Sequence, residues 1–368
     1  MEKQKPTLKD ILTFFVFTGV VGVLFLLNIL VPSPEILVSE RRLPARFPDL
    51  SLNAVTSGAF MSRFEDYAAD NFVFRDTFRE INAFLIFDVY RQNDKSGLYR
   101  SSEVGLGEFR RVNPIAFRQS SERIKKAAGI FDGLDMNIYY SIVPDKSIFA
   151  EKYLPGFNLE TAENILFDVL GKDRYISLSD HMGAYSYYRT DLHWDQSMIL
   201  GIADHLLFKM GAGSATDGFT EERLGEFRGV YAGQYALPVA PDVMTYLDIT
   251  GIEVSYLHER SLEFEPGPVY DVLRFSGVDP YDLFLRGPQP LIVIENKNTP
   301  ERELYLFRDS FGSSLAPLLT GAYSRITVID LRYIHLSVLE QFIDLKPGSD
   351  VLFIYGSQIF NNPTVLLT

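Results

Sequence analysis

The fold class is decided by residues 304–330, LYLFRDSFGSSLAPLLTGAYSRITVID. This stretch and its continuation predict strands at 304–307, 325–330 and 351–355 and helices at 313–321 and 337–345. Strands that alternate with helices are typical of an α/β fold in which helices cover both faces of a parallel sheet. In such sheets ligands bind at the carboxyl ends of the strands, so we expect the functional site beside residues 309–311.

The upstream sequence extends the same pattern. It predicts strands at 137–143 and 175–178 and helices at 161–170 and 197–210. Residues 211–290 are richer in Gly, Pro and acidic side chains, with short strand-like pieces such as 269–275. We interpret residues 211–290 as an insertion or a lobe on the sheet domain.

The composition excludes several classes of function. The chain has 368 residues, with 35 basic against 48 acidic side chains and a net charge of -13. A protein that binds nucleic acid through its phosphates needs a surplus of Lys and Arg, so we expect no nucleic-acid partner. The chain has no cysteine, which excludes disulfides, thiolate metal ligands and a cysteine nucleophile.

An apolar run without charged residues occupies positions 11–31 and is long enough to cross a bilayer as a helix. Three lysines within residues 3–9 favour a cytoplasmic N-terminus, and three arginines within residues 41–46 weaken that preference. A cleaved signal peptide would have a shorter apolar region followed by a small-residue cleavage site. We therefore expect a single-pass membrane protein whose main domain is extracytoplasmic.

The expected domain organisation has three parts. Residues 1–31 form a cytoplasmic tail and transmembrane anchor, and the proline-containing residues 32–55 form a stalk. Residues 56–368 form the main domain, with the insertion at about 211–290.

A serine nucleophile and its base can be placed from the sequence. Ser310 follows a predicted strand, where a turn exposes a hydroxyl, although this pattern taken alone favours a plain Asp/Ser turn with a helix cap. A serine nucleophile needs a base and a group that orients the base. Asp191 and His193 are two residues apart and so share one side of an extended segment. The alternative for His193 is a structural role in an aromatic strand.

Further side chains are candidates for auxiliary or substrate-contacting roles: Lys146, Arg308, Arg332, Tyr188, Trp194 and Asp195. The basic residues equally suit surface ion pairs. The tyrosine equally suits the core, although aromatic faces also stack on sugars. Asp204 and His205 complete no familiar ligand spacing with the Asp191 motif, so we expect no metal and no cofactor.

Several motifs, taken in order, resemble the DHHW family, relatives of the alginate O-acetyltransferase-type, SGNH-hydrolase-like proteins. The motifs are RFEDY at 63–67, DNFVFRD at 70–76, VPDK at 143–146, RTDLHW at 189–194, RDSFG at 308–312 and DLRY at 330–333. Leu192 stands where the family name has its first His, and Asp195 stands where a Thr is usual.

The resemblance implies an SGNH-like fold with Ser310 as nucleophile, His193 as base and Asp191 as orienting residue. It implies an extracytoplasmic acetyltransferase or esterase that acts on a cell-surface polysaccharide or exopolysaccharide. A membrane-bound O-acyltransferase would supply the acetyl group, through an acetyl-serine intermediate. The alternative is a non-catalytic glycan-binding or scaffold protein of the same fold, because fold alone does not fix function.

Overall fold

The computed structural model describes residues 7–154, 156–215, 218–236, 238–258 and 260–368. The chain divides into two compact units. The first comprises Met1–Tyr90 and Gly233–Pro238, and the second comprises Arg91–Ala232 and Val239–Thr368.

The first unit is helical. Its helices are α1 Leu8–Leu30, α2 Leu52–Thr56, α3 Ala59–Asp70 and α4 Arg75–Phe84, and a π-helical turn, Leu85–Val89, continues α4. Helix α1 is long and apolar enough to cross a membrane, and none of its residues is buried. This matches the apolar run found in the sequence.

Ion pairs connect the residues after α1 to α3 and α4. Arg42 donates to both carboxylate oxygens of Asp70 at 2.6 Å. Glu40 accepts from Arg75 at 2.5 Å and lies 3.2 Å from Arg79. Part of the predicted stalk is therefore held against these helices by charge.

The second unit is built on a seven-stranded sheet. The strands from residue 91 onward are β1 Asp94–Lys95, β2 Leu98–Ser101, β3 Gly105–Glu108, β4 Asn137–Val143, β5 Thr220–Phe227, β6 Asp242–Asp248, β7 Ile252–Leu257, β8 Phe264–Gly267, β9 Leu291–Asn296, β10 Glu303–Arg308, β11 Arg325–Ile329 and β12 Asp350–Gly356. The large sheet has the order β4-β12-β10-β11-β9-β7-β8. Strands β1–β3 and the pair β5–β6 form two smaller antiparallel sheets.

The helices from residue 91 onward lie between or after these strands along the chain. They are α5 Pro114–Ala128, α6 Leu159–Leu170, α7 Leu200–Lys209, α8 Val230–Tyr235, α9 Ser310–Leu315, α10 Leu336–Leu339 and α11 Ser357–Phe360. Alternate residues of β10 contribute to two different apolar clusters, Leu304 and Leu306 to one and Tyr305 and Phe307 to the other. Because successive strand side chains point to opposite faces, β10 is covered on both sides. This explains its unbroken apolar sequence.

The large sheet is mixed rather than parallel throughout. Strands β4, β12, β10 and β11 are parallel, as predicted, whereas β9, β7 and β8 pair antiparallel. Strand β9 was not predicted, and residues 211–290 contribute β7 and β8 to the sheet. A short apolar run reveals a strand but not the direction of its neighbour.

Other elements differ from their predictions. The helix expected at 313–321 begins at Ser310, because the Asp309 side chain accepts from Phe311 N and caps it there. The helix expected at 337–345 is the short α10. The strand expected at 175–178 is a single bridge between Tyr140 and Tyr175. In place of the strand at 269–275, Val272–Ser276 forms a 3-10 turn.

Candidate active site

Ser310 lies at the carboxyl end of β10, as the first residue of α9. Asp309 fixes this turn from both sides. One of its carboxylate oxygens accepts from Phe311 N at 3.1 Å, and the other accepts from Gly356 N at 2.8 Å. Gly356 ends the neighbouring strand β12, so the position of Ser310 is tied to two parallel strands. Burial raises the pKa of the Asp309 carboxyl.

The structure brings Asp191, His193 and Ser310 together. His193 Nδ1 lies 2.7 Å from Asp191 Oδ1, and His193 Nε2 lies 2.8 Å from Ser310 Oγ. A carboxylate only accepts hydrogen bonds, so Nδ1 carries the ring proton and Nε2 accepts from the serine hydroxyl. This is the geometry of a serine nucleophile with an oriented base.

Backbone groups hold the Asp191 carboxylate in position. Its Oδ1 also accepts from His193 N at 3.1 Å, and its Oδ2 accepts from Val230 N at 2.8 Å. Both Asp191 and His193 are at least 95% buried, whereas Ser310 is only half-buried. The base is therefore shielded from water, while Ser310 keeps part of its surface accessible.

Lys146 binds the backbone of the loop that contains Asp191. Its ammonium donates to the carbonyls of Tyr188 at 2.7 Å and Asp191 at 2.9 Å, and it lies 5.6 Å from the Tyr231 ring centroid. The side chain is almost completely buried. Burial lowers the pKa of Lys146 to about 8. The structure thus places Lys146 behind Asp191, on its backbone rather than its carboxylate.

An aromatic shell surrounds the histidine. The Tyr281 ring stacks on the His193 ring with centroids 3.8 Å apart and an interplanar angle of 6°. The Tyr281 hydroxyl bonds Ser314 Oγ at 2.7 Å, and Trp194 Nε1 donates to the same oxygen at 2.7 Å. The Trp194 indole, a candidate for an auxiliary or substrate-contacting role, therefore connects the His193 segment to α9.

Two predicted auxiliary residues face away from the three central side chains. The Tyr188 hydroxyl donates to Met244 Sδ at 3.2 Å, and its ring packs edge-on against Phe227 at 5.0 Å. Asp195 accepts from Ser197 N at 3.0 Å and Ser197 Oγ at 2.8 Å, which makes it the cap of a 3-10 turn. Burial raises the pKa of Asp195.

Arg308 and Arg332 share one carboxylate behind the Ser310 turn. Arg332 donates to Asp330 twice, at 2.9 Å and 2.7 Å, and Arg308 donates once, at 3.2 Å. Arg308 is fully buried, and its Nε and Nη2 have no hydrogen-bond partner among the described residues. Burial lowers the pKa of Arg308. The hydrogen bonds of both guanidinium groups go to residues other than Ser310.

A small recess adjoins the central residues. It is lined in part by Leu192 and Phe311, the sequence neighbours of His193 and Ser310, together with Lys146 and Tyr231. Over the described parts of the chain, no three acidic or histidine side chains converge in a way that could hold a metal ion. The chemistry that this arrangement offers is nucleophilic attack by an activated serine.

No protein-family model and no curated protein matches this sequence. Solved structures do match it. A DHHW family protein from Eubacterium siraeum superposes with a TM-score of 0.54 at 20% identity, over 68% of this chain and 87% of that one. The fold is shared with a DHHW family protein. The similarity to that family indicated by the sequence motifs thus recurs in the structure.

Bacillus cereus PatB1 is a second structural neighbour. Its structure with a sulfonyl adduct gives a TM-score of 0.54 at 17% identity and covers 72% of this chain and 94% of that chain. A further structure of PatB1 gives the same TM-score at 15% identity, with 74% and 99% coverage. At these identities the comparison shows the common fold alone.

The sequence did not predict the groups, remote along the chain, that contact and hold the three central residues and the Ser310 turn. Tyr281 lies in a 3-10 turn, Pro280–Leu283, within the segment interpreted as an insertion. Val230 and Gly356 contribute backbone amides, so their residue types do not indicate these hydrogen bonds in the sequence. The one local signal for Tyr281 was the turn in which Asp279 caps the amide of an aromatic residue.

Proposed function

We propose that this chain is a membrane-anchored, extracytoplasmic serine O-acetyltransferase or acetylesterase that acts on a polysaccharide. One observation carries the proposal: His193 bridges Asp191 and Ser310 with hydrogen bonds of 2.7 Å and 2.8 Å. A structural histidine needs one polar partner, whereas a general base needs both an orienting carboxylate and a nucleophile within reach. In this proposal the fold is of the SGNH-hydrolase type.

The first half-reaction forms the acetyl-serine. Ser310 Oγ attacks the carbonyl carbon of an acetyl ester as its proton passes to His193 Nε2. Asp191 stabilises the resulting imidazolium through Nδ1–H. The tetrahedral intermediate then collapses, the bond to the donor alcohol breaks, and that alcohol leaves with the proton from His193.

The second half-reaction returns the serine. His193 Nε2 takes the proton of a sugar hydroxyl, whose oxygen attacks the acetyl carbonyl carbon. Ser310 Oγ leaves and regains the proton, and the acetylated sugar is released. If water replaces the sugar hydroxyl, the same steps yield acetate and the protein is an esterase.

The polymer substrate and the acetyl source follow from the DHHW resemblance and from α1. In this proposal α1, which is long and apolar enough to cross a bilayer, anchors the catalytic unit beside the envelope, and the N-terminal lysines support a cytoplasmic N-terminus. A membrane-bound O-acyltransferase is the proposed partner that delivers the acetyl group across the membrane. The surplus of acidic residues opposes a nucleic-acid substrate.

The test uses full-length protein in phosphatidylcholine nanodiscs and release of the chromophore from an aryl acetate. Ser310→Ala should lower turnover to background. The matched control is Ser313→Ala on the same helix, since Ser313 Oγ is buried and has no hydrogen-bond partner among the described residues. Turnover that rises with an acceptor oligosaccharide identifies a transferase, and turnover indifferent to it identifies an esterase. Equal inactivity of wild type and Ser310→Ala would favour the glycan-binding scaffold.

A further inference from the structure

An exposed apolar surface lies on the helical unit that contains α1. It consists of Phe72, Phe74, Phe78, Ile81 and Leu85, which we call the apolar α4 face. These side chains are between 37% and 58% exposed. Large apolar side chains that cluster on a surface, rather than scatter singly, mark a site of interaction.

Helical geometry places three of these residues on one line. At about 100° per residue, the spacing from Phe78 to Ile81 and Leu85 keeps the three within an arc of roughly 60°, and Phe74 is the residue that precedes the helix. Phe72, in the preceding loop, extends the line, with its ring centroid 5.8 Å from that of Phe78. The face is therefore continuous from the loop through the end of α4.

The basic residues of α4 lie off this face and are already paired. Arg75 and Arg79 are largely buried and contact Glu40 at 2.5 Å and 3.2 Å. Arg79 also donates to Asp76 at 3.0 Å. The apolar α4 face thus has no adjacent unpaired arginine on its helix, and any partner must be attracted by apolar contact rather than by charge.

A hydrogen bond fixes the height of this face relative to α1. Val73 N donates to Asn28 Oδ1 at 2.9 Å, and Asn28 Nδ2 donates to Leu24 O at 2.8 Å. Asn28 lies two residues before the end of α1, which is about 3 Å along the helix axis. The Phe72–Phe74 loop is therefore held at the level of the last turn of α1.

If α1 spans the bilayer, that last turn marks the boundary between hydrocarbon and headgroups. We propose that the apolar α4 face inserts into this boundary and that its occupant is the lipid of the membrane that α1 crosses. Interfacial helices bury an apolar face about 5–10 Å into this region. The inference rests on the membrane anchor in the proposed function but is independent of catalysis. It implies that the unit has two contacts with the membrane, a spanning helix and an interfacial helix.

The test exploits the absence of natural cysteine in the chain. Full-length variants Phe78→Cys, Ile81→Cys and Glu80→Cys are labelled with an environment-sensitive fluorophore in phosphatidylcholine nanodiscs. Glu80 is the matched control, because it is exposed and lies off the arc of the apolar α4 face. Val20→Cys, in the middle of α1, reports separately on whether the anchor is inserted.

We expect blue-shifted emission at positions 78 and 81, loss of iodide quenching, and quenching by nitroxide-labelled lipids. The probe at position 80 should remain open to iodide. The inference is overturned if iodide quenches the probe at position 78 as strongly as the probe at position 80. It is also overturned if the probe at position 78 is shielded from iodide but not quenched by nitroxide-labelled lipids, because protein would then cover the face. Dependence of the shift on added phosphatidylglycerol also overturns it. Lipid quenching at position 20 without lipid quenching at position 78 overturns the inference but leaves the membrane anchor intact. No lipid quenching at position 20 would show that α1 does not cross the membrane, and this overturns the anchor as well.

Discussion

Tyr281 lies flat against His193, with ring centroids 3.8 Å apart and an interplanar angle of 6°. The tyrosine is held in turn by the bond from its hydroxyl to Ser314 Oγ. Ser314 belongs to α9, the helix that begins at Ser310. The ring that covers the base is therefore tied to the helix that carries the nucleophile.

Replacing Tyr281 should separate the roles of the ring and the hydroxyl. Tyr281→Phe keeps the stacked ring and loses one hydrogen bond, so we expect a loss of about 1 kcal/mol in stability and little change in kcat. Tyr281→Leu removes the stacking and frees the imidazole, so kcat should fall roughly fivefold, because an aromatic pair contributes about 1 kcal/mol. Aryl acetate turnover measures kcat for the two variants, and thermal unfolding measures their stability. Equal kcat for the two variants would contradict the positioning role.

Asp191→Asn should remove most of the activity without disturbing the fold. The amide presents a donor or an acceptor to Nδ1 but no charge, so it favours the wrong tautomer and no longer stabilises the imidazolium. Comparable substitutions in serine triads lower kcat by about 10⁴-fold. Asp195→Asn is the control, since that carboxylate caps Ser197 rather than facing the histidine. Similar kcat values for the two variants would exclude Asp191 as the orienting residue.

The sequence predicts the site better than it predicts the sheet. The strand before Ser310 and the spacing of Asp191 and His193 are local patterns, and the structure contains both. Strands β7 and β8 lie in a Gly-, Pro- and acid-rich segment. The antiparallel pairing of β7 with β9 is a long-range contact that local periodicity does not specify.

The contacts that support the three central residues could not be predicted from local sequence patterns either. Tyr281 reaches His193 across a wide gap in sequence, and Val230 and Gly356 contribute through their backbone amides. Lys146 was visible as a residue after a strand, but its burial and its two carbonyl acceptors depend on the folded loop.

Lys146 should make stability depend on pH. Its pKa is about 8 in the folded protein and near 10.5 when unfolded. Between these values the unfolded chain keeps the proton that the folded chain has lost, so the free energy of unfolding rises with pH. From pH 8 to pH 10 the wild type should gain about 2 kcal/mol relative to Lys146→Met.

Urea titrations at the two pH values, followed through the emission of Trp194, the only tryptophan, measure this difference. At pH 7 Lys146→Met should already be less stable by about 2 kcal/mol, because the carbonyls of Tyr188 and Asp191 lose their donor. A difference between wild type and variant that is the same at pH 8 and pH 10 would show that Lys146 keeps an ordinary pKa.

Arg308 and Arg332 should respond oppositely to removal of their charge. Arg308→Met replaces a buried guanidinium that has one 3.2 Å bond to Asp330, while Asp330 keeps its two shorter bonds from Arg332. Since desolvating a charge costs more than one long bond returns, stability should change by less than about 1 kcal/mol or increase. Arg332→Met leaves the buried Asp330 carboxylate with only that long bond and the 3.1 Å bond from the backbone N of residue 332, and should cost about 3 kcal/mol. The same urea titrations compare the two variants, and a larger loss for Arg308→Met would show that Arg308 is the principal partner of Asp330.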